Sequence, residues 1–183
     1  MSNEVVFQGN TKTNKNLLIR YPTIEDAQLM TEYINSLSYE KTYVSLQGEE
    51  ITLEEETKSL QEILQNIKEE KAVFLLAFID SKLVGMTDIN MMKRVFNHTG
   101  AMGISIAKDY RGGGIGNIFL EVLLNETKVK LPKIKLIALE VFSNNIPAIN
   151  MYKKYGFIEY GTLPRGVQYN NGLVDLIYMY KEL

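Results

Sequence analysis

Two apolar runs, AVFLLAFI (72–79) and LVGMTDINMM (83–92), are separated only by Asp80, Ser81 and Lys82. Each run has the length of a strand, and so short a polar gap leaves room only for a tight hairpin. Residues 72–92 therefore read as two antiparallel neighbours, and the other elements must be arranged around them. NLLIRY (16–21) is a further strand, and VVFQG (5–9) is its expected partner across the polar NTKTNK. AMGISIA (101–107), KIKLIALEVF (133–142), IEYGTL (158–163) and LVDLIYMY (173–180) complete the strands.

Helices fall between these runs. Thr23 with Asp26, and Thr52 with Glu55, have capping-box spacing. The first signal precedes a stripe of Ala27, Met30, Tyr33, Ile34 and Leu37, and the second a stripe of Leu53, Leu60, Leu64 and Ile67. SYEKTYVSLQGEE between them has no period and reads as loop. IGNIFLEVLLNETKVK (115–130) is helical by period and ends before Pro132, while IPAINMYKKYGF is a short helix stopped at Gly156. This order of elements predicts an α+β fold: one mixed, largely antiparallel sheet with helices on its faces.

Composition narrows the function. With 183 residues, 45% hydrophobic and 23% charged, the chain is expected to form a single domain over residues 1–183 with an ordinary core. It has no cysteine, which excludes disulfides, thiolate metal sites and a cysteine nucleophile. The one histidine, His98, excludes a paired-histidine site and reads as a solvated loop residue in KRVFNHTG. No metal is expected. A net charge of -2 gives no field favouring nucleic acid. MSNEVVFQGN lacks the basic and apolar regions of a signal peptide, and no apolar run reaches bilayer length, so the expectation is a cytoplasmic protein without a membrane partner.

DYRGGGIGN (109–117) places four glycines in five positions between a strand and a helix. Unpaired amides at a helix N-terminus favour an anion, phosphate above all. The P-loop pattern fails because no Lys-Ser or Lys-Thr follows the run. The dinucleotide pattern fails because its third glycine position falls on Asn117 or Phe119. What fits is Arg111-x-x-Gly114-x-Gly116, and LEVFSNNIPAINMYKKYGF (139–157) adds a strand, an Asn, an Ala-Ile pair, a Tyr and a Gly-Phe. Together the two stretches resemble the signatures of the GNAT N-acetyltransferases, in the family's order and spacing. The LEV context and its distance from Tyr152 are similar to the branch that acetylates protein N-termini, including ribosomal proteins.

The resemblance implies a sheet of about seven strands with about four helices and splayed central strands. It implies acetyl-CoA as co-substrate, its pyrophosphate held by the amides of Arg111, Gly112, Gly113, Gly114, Ile115, Gly116 and Asn117. The Arg111 side chain either adds charge or braces the loop. Ile104, Ser105 and Ile106 would pair with the pantetheine arm, with Asn145 and Ala148 as further cofactor contacts. An amide near Ile106 would face the thioester oxygen. Tyr152 holds the family's general-acid position, able to protonate the departing thiolate. Glu140 is the expected base, on the premise that a carboxylate in an apolar strand is buried, and Asp88 is the second choice. The implied acceptor is a primary amine, with a protein N-terminus favoured over a polyamine, an aminoglycoside or another small amine. A non-catalytic module that senses coenzyme A is the rival class. Homodimers are common in the family. EEITLEEE (49–56) reads as a helix start that complements the helix dipole, and Tyr33, Tyr39 and Tyr43 either line the acceptor region or belong to the core.

Overall fold

The computed structural model describes residues 4–183; Met1–Asn3, the start of the stretch read for a leader, lie outside the described residues. Contacts cluster into two compact units, Met1–Asn90 with Gly103–Pro132, and Met91–Met102 with Lys133–Leu183. The first unit opens with a hairpin of β1 (Val5–Asn10) and β2 (Asn16–Arg20). With β1 paired to β2, the strands among the described residues number eight rather than about seven. Thr23 caps a short 3₁₀ turn, Ile24–Asp26, before α1 (Ala27–Glu40) begins. The Asp26 carboxylate causes this tight entry: it accepts from the Thr23 amide at 2.7 Å and from the Arg20 guanidinium at 2.6 and 2.8 Å.

At the start of α2 (Leu53–Lys68) the capping box closes as expected. The Thr52 amide donates to Glu55 Oε2 at 2.9 Å, and the Glu55 amide donates to Thr52 Oγ1 at 3.2 Å. Leu53 is exposed, so the apolar stripe begins a turn later than its spacing suggested, and the buried residues of the helix are Glu56 and Leu60. β3 (Ala72–Ile79) is buried at every position. One face, Phe74, Leu76 and Phe78, packs with Met30, Tyr33, Leu37 and Leu60 of α1 and α2. The hairpin turn is two residues, tighter than the three-residue gap. Asp80 and Ser81 both take left-handed φ, at 49° and 63°, and Lys82 already belongs to β4 (Lys82–Met91). β5 (Thr99–Ile106) passes through both units, and α3 (Ile115–Lys130) packs on β3. Strand order in the first unit is β1-β2-β3-β4-β5.

In the second unit the order is β5-β6-β8-β7, built from β6 (Leu136–Phe142), β7 (Ile158–Tyr169) and β8 (Gly172–Glu182), with α4 (Ile146–Lys154) between β6 and β7. β6, β8 and β7 pair antiparallel. β5 and β6 are parallel, and their register runs only through Thr99↔Leu136, Gly100↔Ile137 and Ala101↔Ala138. β6 continues to Phe142 paired with β8 alone. The pairing between the two central strands therefore ends early, as the resemblance implied. No helix is long and apolar enough to cross a membrane among the described residues.

Glu56 is a stability liability with a defined pH signature. It is buried in the first turn of α2, and loss of water pushes its pKa from 4.5 up to about 7. Below the ordinary carboxylate range both the folded and unfolded chains keep the proton, and nothing is lost. Between 4.5 and about 7 the unfolded chain releases the proton while the folded chain retains it, so stability falls as pH rises through that window. Glu56→Gln should flatten this decline, raising Tm at pH 8 relative to the parent while changing little at pH 4.5. A parallel pH dependence in the two proteins would show that Glu56 is not its source.

Candidate active site

The glycine run leaves β5 and enters α3 within the first unit. Gly112 and Gly114 have φ of 77° and 84°, the left-handed region that side chains with a Cβ avoid, and Gly114 is the N-cap of α3. The Gly114 carbonyl accepts from the amides of Asn117 and Ile118 at 3.2 and 3.3 Å. The amides from Gly112 to Gly116 donate to nothing among the described residues. They are a row of open donors at a helix N-terminus, which is what an oxyanion needs.

Arg111 is turned away from this row. Its Nε donates to the Ile106 carbonyl at 2.8 Å, and its two terminal nitrogens grip the Glu40 carboxylate, Nη2 to Oε2 at 2.9 Å and Nη1 to Oε1. Of the two roles left open for this side chain, the geometry is that of the brace. Ser105 Oγ accepts from the buried Tyr33 hydroxyl at 3.0 Å, so Tyr33 belongs to the core and holds the C-terminal end of β5. Ile104, Ser105 and Ile106 all lie beyond the end of the β5–β6 register.

What lies over the glycines is not written in the loop's own residues. A Cβ at Gly114 would stand 3.1 Å from the Lys12 side-chain stem, and one at Gly113 would stand 3.6 Å from Thr13 Oγ1. The turn between β1 and β2 is thus an outer wall of the loop. The Lys15 and Lys82 ammonium groups lie 4.9 and 5.6 Å from the centre of the Tyr110 ring, which precedes the glycine run in the chain. NTKTNK was legible only as a polar turn, since nothing in its spacing says what it covers.

Asp88, the second-choice carboxylate, has the environment of a tuned base. It is half-buried, and loss of water pushes its pKa from 3.8 up to about 7, against a 2.6 Å hydrogen bond from Asn90 Nδ2 to its Oδ2. A Cβ at Gly103 would come within 2.8 Å of Asp88 Oδ1, so the missing side chain on β5 is what lets the carboxylate lie there.

Glu140, Asn145, Ala148 and Tyr152 belong to the second unit. Glu140 corrects its premise: it is exposed on β6, while its neighbours Leu139 and Val141 point into the core. Alternation along the strand, not the apolar composition, decides its side. It makes no hydrogen bond or ion pair among the described residues. Asn145 is the N-cap of α4, its Oδ1 accepting from the Ala148 amide at 3.4 Å. Tyr152 is 6% exposed, stands 5.7 Å from the Phe157 ring, and has its hydroxyl pKa pushed up by burial, so it holds its proton across the physiological range. His98 is an exposed loop residue whose carbonyl accepts from the amides of Lys135 and Leu136. No group of three or more His, Cys, Asp or Glu side chains is placed to hold a metal among the described residues.

A family model described as acetyltransferase (GNAT) family matches residues 38–157. An L-amino acid N-acetyltransferase, AaaT, of Escherichia coli is 32% identical over 106 residues, 57% of this chain and 65% of that protein. An N-alpha-acetyltransferase of Sulfurisphaera tokodaii is 29% identical over 105 residues, 52% of this chain and 62% of that protein. The chain thus aligns with a little under two thirds of each relative's length. Among solved structures, an acetyltransferase of the GNAT family from Streptococcus pneumoniae superposes with a TM-score of 0.84 at 29% identity, covering 91% of this chain and 99% of that one. The family model spans well over half of the residues, glycine loop and Tyr152 included, and the chain belongs to the acetyltransferase (GNAT) family.

Proposed function

We propose that residues 1–183 form one N-acetyltransferase domain that moves the acetyl group of acetyl-CoA directly to a primary amine, with a protein or peptide N-terminus as the favoured acceptor. The observation that carries this reading is the row of open amides from Gly112 to Gly116 at the start of α3. It fits a pyrophosphate, with the Lys12 ammonium as an added positive charge and the strand segment Ile104–Ile106 as the rail for the pantetheine arm. The names of the two relatives support an α-amino acceptor, one acting on L-amino acids and the other on N-alpha groups. An α-amino group, with a pKa of about 8, needs less help to lose its proton than a lysine at about 10.4.

In this reading the neutral amine attacks the thioester carbonyl carbon. A carbon–nitrogen bond forms, the carbon–sulfur bond breaks, and the thiolate takes a proton from Tyr152 while the amine proton passes to a carboxylate. Asn145, already the cap of α4, also holds the cofactor arm through its free amide, beside Ala148. Glu140 is the carboxylate the motif supplies, working through water because it is exposed. Asp88 is the second reading, favoured by a proton affinity matched to neutral pH.

Release of free thiol from acetyl-CoA, measured against peptides, amino acids, polyamines and aminoglycosides, tests the function. Tyr152→Phe should lower kcat by about 10²-fold or more while leaving the Kd for coenzyme A unchanged. Unchanged turnover would remove Tyr152 as the acid, and tight coenzyme binding without transfer to any amine would leave a sensor module.

The base is separable by pH. If Asp88 takes the proton, kcat/KM rises with pH through about 7, because the carboxylate must lose its own proton first, and Asp88→Asn abolishes that limb. Loss of the limb in Glu140→Gln, with Asp88→Asn keeping it, would return the role to Glu140.

A further inference from the structure

The sheet of the second unit has one face turned to the core and one that is half-buried to exposed. Ile137, Leu139, Val141 and Met179 are buried on the inner side. The register Ala138↔Tyr180 and Glu140↔Tyr178 puts Glu140 on the other face, beside Tyr178 and Tyr180, and Leu136↔Glu182 ends the same row with a second carboxylate. β7 adds a third ring. The β7–β8 register shifts between Glu159 and Gly161, and the extra residue is Tyr160. Bulges of this kind re-aim a side chain. Here the Tyr160 ring stands 6.1 Å from that of Tyr178 and 5.8 Å from that of Tyr180. Tyr160 is 61% exposed and its neighbour Ile158 is 58% exposed.

Three tyrosine rings with a carboxylate beside them and another at the end of their row form a surface for a cation. Ring faces attract an ammonium or guanidinium group, and the carboxylates supply the opposite charge. The rows Leu136, Ala138, Glu140, Phe142 and Leu176, Tyr178, Tyr180, Glu182 contain no lysine or arginine to neutralise them. Openness decides the kind of ligand. Small-molecule sites bury roughly 70–90% of their ligand, whereas a free polyamine laid on this face would stay largely in water. A peptide makes further contacts on either side of the charged residue and does not need to be enclosed.

We propose that this face reads a lysine or arginine side chain close behind the acceptor amine, so that the preferred acceptor is a basic peptide N-terminus. The inference rests on the acetyltransferase reading and names the substrate class for it. The Tyr160 bulge sets the recognition geometry, and Glu140 and Glu182 set its charge sign.

Peptides identical except for Lys, Gln or Glu at the second to fourth positions test it, with spermidine as the free-amine arm. The Lys peptides should show a KM about 10-fold below the Gln peptides at similar kcat, as a cation over aromatic rings allows. Tyr160→Ala should reduce that preference to about twofold or less, Tyr160→Phe should retain it, and Glu182→Gln should weaken it. Binding of labelled Lys and Gln peptides by fluorescence polarisation gives the same comparison without turnover, so an inactive preparation still decides the matter. Equal KM and equal binding for the three peptides would overturn the proposal while leaving acetyl transfer intact. Spermidine used in preference to the Lys peptides would overturn the choice of a peptide. Loss of self-association in Tyr160→Ala, with no change in peptide preference, would assign the face to a second copy of the chain instead.

Discussion

The order of the glycine loop rests on one side chain, Arg111, whose guanidinium is engaged away from the loop's open amides. Arg111 joins the last carbonyl of β5, at Ile106, to the C-terminal residue of α1, Glu40, and it does so from the first position of the glycine loop. Glycines that give backbone room for an oxyanion also make a loop floppy. A bidentate arginine–carboxylate pair is geometrically specific even where partial exposure makes it worth little in stability, on the order of 1 kcal/mol. Its contribution is therefore to order rather than to ΔG. It ties the start of the loop that carries the open amides of Gly112 to Gly116 to the ends of β5 and α1.

The elements were legible because each was written in local chemistry. The capping box at Thr52 and Glu55, the tight hairpin after Ile79, and the stop at Gly156 are decided within a few residues, and each formed where its residues stand, the hairpin one residue tighter than its gap. The glycine loop was legible for the same reason. What was not legible was the environment. Glu140 stands in a strand of apolar residues and was expected to be buried, yet strand alternation put it in water. Asp88 stands in a similar strand and became the carboxylate with raised proton affinity, because Gly103 on the neighbouring strand leaves space for it. Which of two carboxylates loses its water is a question of pairing between distant residues. No spacing along the chain contains the answer. Lys12 makes the same point from the opposite direction: a residue read as loop became a wall of the glycine loop, because the β1–β2 turn folds over Gly114.

In the proposed mechanism these environments divide the chemistry in a way residue identity cannot. Tyr152 is buried and holds its proton, which suits a group that must donate late, to a thiolate. Asp88 is balanced near neutrality, which suits a group that must accept. Glu140 is in water among tyrosines, an environment that favours holding a cation at least as much as taking a proton. A carboxylate paired with a cationic side chain of the acceptor is a poorer base, because the nearby positive charge stabilises its ionised form. Under the two proposals, recognition and proton removal would compete for Glu140. The competition is relieved if Asp88 takes the proton, since the chain would then need only one carboxylate for each task. A basic acceptor peptide should accordingly leave the pH dependence of transfer with Asp88, and Glu140 would affect which peptide is chosen more than how fast it reacts.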